Sequence, residues 1–108
     1  MRLREDIDLL QKLLKFHDRV SKPDAVMNDA EAYATGLADE LKRAAQRVTE
    51  FKLVDDEARI LMRCCRRMIW ARLDRNEDQF KRWKHLAERP YCAVAGDVVN
   101  ALKVEGAP

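Results

Sequence analysis

Apolar side chains recur every three or four residues along almost the whole chain, the spacing that gives an α-helix one apolar face. The 108 residues include only three Gly and three Pro, too few for the tight turns of a β-sandwich or β-barrel. No stretch alternates apolar and polar residues as a half-buried strand does. We therefore predict a single all-α domain over residues 1–108, an up-and-down bundle of four helices with a fifth as the alternative, whose ends 1–2 and 104–108 are frayed.

The first two helices are predicted from their apolar stripes and from the residues at their ends. Residues 3–20 carry two adjacent stripes, and Pro23 ends this helix because proline disfavours helical geometry in the residue before it. The second helix is predicted to begin at Asn28 or Asp29, both good N-cap residues, and to run to about Phe51. Its apolar positions form an unbroken heptad that suits packing against another helix: Ala30, Ala34, Leu37, Leu41, Ala44, Val48 and Phe51.

A central helix is predicted to start at Asp55–Glu57, because acidic residues stabilise a helix amino terminus. Its apolar residues between Ile60 and Leu73 fill an arc of roughly 220° on a helical projection. An arc that wide is typical of the central helix of a bundle, since little of its circumference is left for solvent.

The end of this central helix is less clearly marked. Capping-box patterns at 74–77 and 76–79 favour a break. Against that, no Gly or Pro intervenes and Phe80 keeps the apolar register, so one long helix over about 55–88 is the preferred prediction. Pro90 then ends it, and a last helix spans about 91–103.

Charge is unevenly distributed, although the formal net charge is only +2. Residues 1–58 carry ten basic and thirteen acidic side chains, whereas residues 59–89 carry ten basic and four acidic ones. One face of the central helix holds four arginines and a tryptophan, our candidates for binding a partner or a nucleic acid: Arg59, Arg63, Arg66, Arg67 and Trp70. Three interpretations stay open: a face that is solvated or paired with acids of the first two helices, a protein interface, and a surface for phosphates and stacked bases.

Catalytic and metal-binding patterns are not found in the sequence. It has neither a nucleophile elbow nor a phosphate-binding glycine loop. His85 and Glu88 stand in the reverse order of a bundle metal motif and occur once. Cys64 and Cys65 point about 100° apart on a helix and are interpreted as small core residues, and His17 as a boundary histidine held by a hydrogen bond. We predict no enzymatic activity, no cofactor and no metal.

Three cysteines, two of them adjacent, make a poor disulfide framework and predict a reducing compartment, the cytoplasm. The charged segment Met1–Asp6 is not followed by an apolar stretch, so we expect no signal peptide. Apolar runs are far shorter than the roughly 20 residues that span a bilayer, so we expect no membrane contact.

These observations predict a small non-enzymatic interaction module, an adaptor or regulator that binds another protein. We expect a homodimer, because one short chain has little apolar surface to cover both the wide arc of the central helix and the alanine-rich second helix. The first alternative is a nucleic-acid-binding regulator that uses the Arg59–Trp70 face, although no helix-turn-helix is legible. A helical-bundle enzyme or cofactor carrier is the second alternative.

Overall fold

The computed structural model describes residues 2–25, 27–47 and 52–106, which form five α-helices. The helices are α1 (Arg2–Val20), α2 (Ala30–Gln46), α3 (Asp56–Leu73), α4 (Glu77–Leu86) and α5 (Glu88–Glu105). No strand occurs within those three ranges. α4 and α5 are joined by helical hydrogen bonds through Ala87 and count as one helix of the bundle. The predicted all-α bundle of four helices is therefore confirmed, and its dimensions are 48 × 22 × 20 Å.

The joint between α4 and α5 lies at Ala87, which keeps helical torsion angles (φ −74°, ψ −18°). The N–H of Ala87 donates to the Trp83 carbonyl (3.0 Å), and the N–H of Tyr91 donates to the Ala87 carbonyl (2.9 Å). Pro90 has no N–H to offer the Leu86 carbonyl, so it interrupts the hydrogen-bond ladder at one rung. The prediction that Pro90 ends the helix was wrong, because this proline lies in the first turn of α5, where proline is tolerated.

The predicted long helix over 55–88 was also wrong, because three residues separate α3 from α4. Arg75 adopts the left-handed conformation (φ 56°). Its N–H donates to the Arg72 carbonyl (3.1 Å), and the N–H of Asn76 donates to the Ala71 carbonyl (2.8 Å), which is the Schellman pattern of a helix end. The side chain of Asn76 then caps α4 by accepting from the backbone N–H three residues on (3.1 Å). Arg75 occupies the left-handed position after α3 that glycine usually takes. The absence of glycine between residues 74 and 76 therefore did not mean that the helix continues.

α3 packs against each of the other four helices, the central position that its wide apolar arc predicted. Its buried residues are Ala58, Leu61, Met62, Cys64, Cys65, Met68, Ile69 and Ala71. Ile60 and Leu73 were expected in the buried arc but are exposed, because they lie at its margins. α2 buries its described heptad positions as well. One chain therefore covers both surfaces whose burial was the reason for predicting a homodimer.

The remaining helix ends differ from their predictions by a few residues. α1 ends before Pro23, as predicted. Asp29 occupies the N-cap position of α2, but its backbone is left-handed (φ 63°) and its side chain makes no capping hydrogen bond. α2 ends at Gln46 rather than near Phe51, and the predicted positions 48–51 lie outside the described residues. α5 continues to Glu105, past the point where fraying was predicted, and this carboxylate accepts from the Arg4 guanidinium at 3.0 Å. None of the helices described is both long and apolar enough to cross a membrane.

Candidate functional site

The five residues selected from the sequence lie together along one groove between α2 and α3. The groove has a volume of about 730 Å³ and is lined by Arg59, Arg63, Arg66, Arg67 and Trp70 of α3. α3 adds Asp56, Ile60 and Met62, and α2 forms the opposite wall with Ala38, Asp39, Leu41 and Lys42. We call this surface the α2–α3 groove.

Local sequence fixes the two walls of the groove. α3 starts where the Asp55 side chain accepts from the backbone N–H groups of Glu57 (3.0 Å) and Ala58 (3.4 Å), as an N-cap residue does. Near the other end of α3, the indole N–H of Trp70 donates to Glu31 Oε1 in the first turn of α2 (3.3 Å). The two helices therefore run antiparallel, and Trp70 lies at the carboxyl end of the α3 wall.

The charge of the groove is mainly positive, with five basic and two acidic side chains in its lining. In the described part of the chain, none of its four arginines has a carboxylate oxygen within 4.0 Å. The arginines that form ion pairs there are Arg4, Arg47, Arg72 and Arg89. The groove arginines thus keep their charge toward solvent instead of pairing with described acids of α1 and α2.

Trp70 is 37% exposed and has two guanidinium groups beside it. The Cζ atoms of Arg66 and Arg67 lie 5.7 and 5.2 Å from the centroid of its ring. The same Arg67 Cζ lies 5.6 Å from the ring centroid of Trp83, a half-buried residue of α4. These are cation–π distances, so the arginines are oriented by the indoles while their charge stays uncompensated.

An apolar strip runs between the charged walls. Ile60 is 39% exposed and Ala38 is half-buried, above the buried side chains of Leu41 and Met62. Sequence reasoning found the α3 half of the site, because those residues share one helix face, but it missed Ile60 and the whole α2 wall. The sequence did show that the α2 positions beside Leu41 would be exposed. It did not show that α3 would be the helix packed next to them.

The other chemically interesting residues lie in the core or at its edge. Cys64 and Cys65 are buried, as predicted, and carry no disulfide. Burial, with added repulsion from Cys64 and Asp18, raises the pKa of the Cys65 thiol and keeps it protonated. His17 Nδ1 lies 3.3 Å from Asp18 Oδ1, and its ring packs on Tyr91 with centroids 4.6 Å apart. Its Nε2 is buried without a hydrogen-bond partner among the described residues. The predicted hydrogen bond is therefore present at Nδ1 only.

Within the described ranges, no group of three or more His, Cys, Asp or Glu side chains is placed to hold a metal ion. Comparisons of the chain with protein-family models, with curated proteins and with solved structures gave no match. The functional argument therefore depends on the geometry of the α2–α3 groove.

Proposed function

We propose that this protein is a small, non-enzymatic helical interaction module that binds another protein through the α2–α3 groove. One observation carries the proposal: the groove joins an exposed apolar strip to four arginines without described carboxylate partners and to an exposed tryptophan. Arginine and tryptophan are enriched among the residues that dominate protein–protein binding energy, especially around an apolar centre. An adaptor or regulatory role needs no more than such a surface on a stable bundle.

The surroundings of Trp70 favour a protein over a nucleic acid. Base stacking needs an open indole face, whereas two guanidinium groups already lie within 6 Å of this ring. The indole N–H already donates to Glu31 Oε1 (3.3 Å), so it is not free to donate to a base or a phosphate. The nucleic-acid-binding regulator thus becomes the alternative outcome of the test.

A charge-reversal experiment tests the proposed function. The variant Arg63→Glu with Arg67→Glu reverses two exposed charges in the groove, and Lys81→Glu with Lys84→Glu makes the same charge change on exposed positions of α4. Each protein is isolated from cells without nuclease, bound proteins are quantified by mass spectrometry, and the 260/280 nm absorbance ratio is read. We expect a protein partner that stays with the wild type and the α4 variant, is lost from the groove variant, and binds the purified wild type directly.

Two results would contradict the proposal. One is a partner that binds the groove variant as well as the wild type. The other is nucleic acid as the material lost from the groove variant, with affinity that falls steeply as salt increases.

Homodimerisation stays a prediction, and its physical reason changes. The arc of α3 is covered within one chain, whereas Val99 and Leu102 on α5 are 51% and 37% exposed. These two exposed apolar side chains lie on one helix, where a second copy of the chain can bury them. Light scattering across micromolar concentrations should give twice the mass of one chain, and a constant single-chain mass would exclude the dimer.

We also propose a cytoplasmic location, supported by the free thiols of Cys64, Cys65 and Cys92. Cys92 is exposed and would be open to oxidation outside a reducing compartment. Trapping of thiols in intact cells should find Cys92 reduced, and a disulfide-linked species at Cys92 would contradict this location.

A further inference from the structure

We propose that the α2–α3 groove binds an acidic amphipathic α-helix of the partner, about three turns long, lying along α3. This inference rests on the proposed function and specifies the occupant of the same site. It follows from the length of the groove, from its apolar strip and from its charge.

The length of the groove matches a short helix. The part of its α3 wall that carries the arginines and the tryptophan extends from Arg59 to Trp70, twelve residues that span roughly 16 Å along a helix. Between them, Arg63, Arg66 and Arg67 repeat at the three- and four-residue spacing that keeps side chains on one helix face. Carboxylates repeating at the same spacing on a facing helix could meet them one turn at a time.

The apolar strip favours a helix over an extended segment. A trough between two packed helices accepts a third helix, whose apolar side chains enter at the i, i+3 and i+4 positions. Ile60 and Ala38 are the accessible residues of that trough. An extended peptide would lack the backbone pairing that a sheet edge gives it, because the described part of the chain has no strand.

The charge sets the composition of the occupant. Five basic side chains border the groove against two acidic ones, and no described carboxylate pairs with its four arginines. Asp56 lies at the amino end of α3, whereas Arg66 and Arg67 lie toward its carboxyl end beside Trp70. The occupant therefore carries a net negative charge that complements these arginines.

The test uses three synthetic peptides of about 18 residues, long enough to form a helix when bound. The first has Leu at three- and four-residue spacing, flanked by Glu. The second has the same composition with the Leu spacing scrambled, and the third has Lys in place of Glu. Binding is followed by calorimetry with the wild type and three double variants, which are the groove and α4 charge reversals and the groove double alanine. The fluorescence of Trp70 in a Trp83→Phe background gives a second measurement.

We expect saturable binding of the first peptide, with both other peptides at least about tenfold weaker. Arg63→Glu with Arg67→Glu should weaken the first peptide at least about tenfold, and the corresponding double alanine variant by an intermediate factor. Lys81→Glu with Lys84→Glu should leave it unchanged. Circular dichroism and thermal unfolding of each variant separate loss of binding from loss of fold.

The failures of the two proposals are distinguishable. If the first peptide binds no better than the scrambled one, the acidic helix is wrong, while the proposed function still stands wherever the groove variant loses its cellular protein partner. If the Lys peptide binds best, the charge assignment is reversed and the inference fails. If a single-stranded oligothymidylate binds the wild type more tightly than any peptide does, both proposals fail.

Discussion

Arginine serves two different purposes along α3, at its carboxyl end and in the groove. Arg72, at the carboxyl end, donates to Glu77 Oε1 at 3.0 Å and to the Lys22 carbonyl at 3.4 Å, and its Cζ lies 3.8 Å from the ring centroid of Phe80. Its side chain is only 19% exposed. Arg63, about two turns earlier in the groove, is exposed and has no carboxylate partner among the described residues.

Under the proposed function, this difference divides structural and binding roles by position along one helix. Arg72 connects the end of α3 to the start of α4 and to the segment after α1, so its charge is used within the fold. The groove arginines have no carboxylate partner among the described residues, so the proposal assigns their hydrogen-bond donors to another molecule. The comparison predicts that substitutions in these two regions separate stability from binding.

The largest effect is expected from Leu61→Ala on the buried side of α3, where Leu61 is fully buried. Removing this side chain should lower the free energy of unfolding by about 2 to 5 kcal/mol, because transfer energy is lost and a cavity remains. Arg59→Ala, on the groove side of the same helix, should change it by less than about 0.5 kcal/mol. Urea unfolding measures both, and equal losses would show that the groove side also holds the fold.

Arg72→Ala comes next and tests the division directly. Loss of its hydrogen bonds and of the cation–π contact with Phe80 should lower the free energy of unfolding by about 1 to 2 kcal/mol. Arg63→Ala is the matched control and should have little effect on stability while weakening binding of the acidic peptide. If Arg72→Ala weakens peptide binding more than Arg63→Ala does, the assignment of the two regions is wrong.

Arg75→Gly should stabilise the protein, because Arg75 holds the left-handed conformation at the end of α3 (φ 56°). Glycine adopts that conformation without the clash of a Cβ, although its greater freedom in the unfolded chain offsets part of the gain. We expect a rise of about 0.5 to 1 kcal/mol in the free energy of unfolding. Arg82→Gly, at an exposed position inside α4, should instead be destabilising, and a loss of stability in both would show that Arg75 is unstrained.

The smallest effect concerns Asp97 on α5 and depends on pH. Partial burial, with repulsion from Asp55 and Glu57, raises the pKa of the Asp97 carboxyl above its ordinary value. The folded chain therefore binds this proton more tightly than the unfolded chain does. The resulting stability is fully present below the ordinary pKa and is lost as pH rises through the raised pKa.

Asp97→Asn should accordingly raise the urea midpoint slightly near about pH 7, with no difference near about pH 3. Asp24→Asn, at an exposed position after α1, measures the general effect of removing one negative charge. A lower midpoint for Asp97→Asn at neutral pH would show that the Asp97 carboxylate makes a stabilising contact.

Sequence periodicity predicted the buried residues of α2 and α3 except at the margins of the α3 arc, where Ile60 and Leu73 are exposed. Leu37 and Leu41 of α2 and Leu61 of α3 lie in the core because a spacing of three or four residues defines a helix face whatever packs on it. Periodicity did not reveal the break between α3 and α4. Phe80 keeps the apolar spacing of α3 and is buried, although a turn separates the two helices. The break depends on Arg75 in a conformation that sequence rules assign to glycine.

For the candidate site, prediction reached as far as a single helix. Arg63 and Trp70 could be placed on one face because their spacing lies within α3. Lys42 and Glu31 could not be included, because their approach to α3 depends on which helices pair and in which direction. The pairing and direction of the helices are determined by the packing of the whole bundle, and the identity of these two residues does not indicate them.

The position of Arg67 between two indoles has a consequence for transmission between distant parts of the molecule. Its guanidinium lines the groove and also lies 5.6 Å from the ring centroid of Trp83 on α4. A ligand that draws this guanidinium toward itself weakens the Trp83 contact, and a displacement of α4 changes the charge presented to the ligand. Under the proposed function, occupancy of the groove and docking of α4 thus share one side chain, and by linkage any effect of one equilibrium on the other is reciprocal.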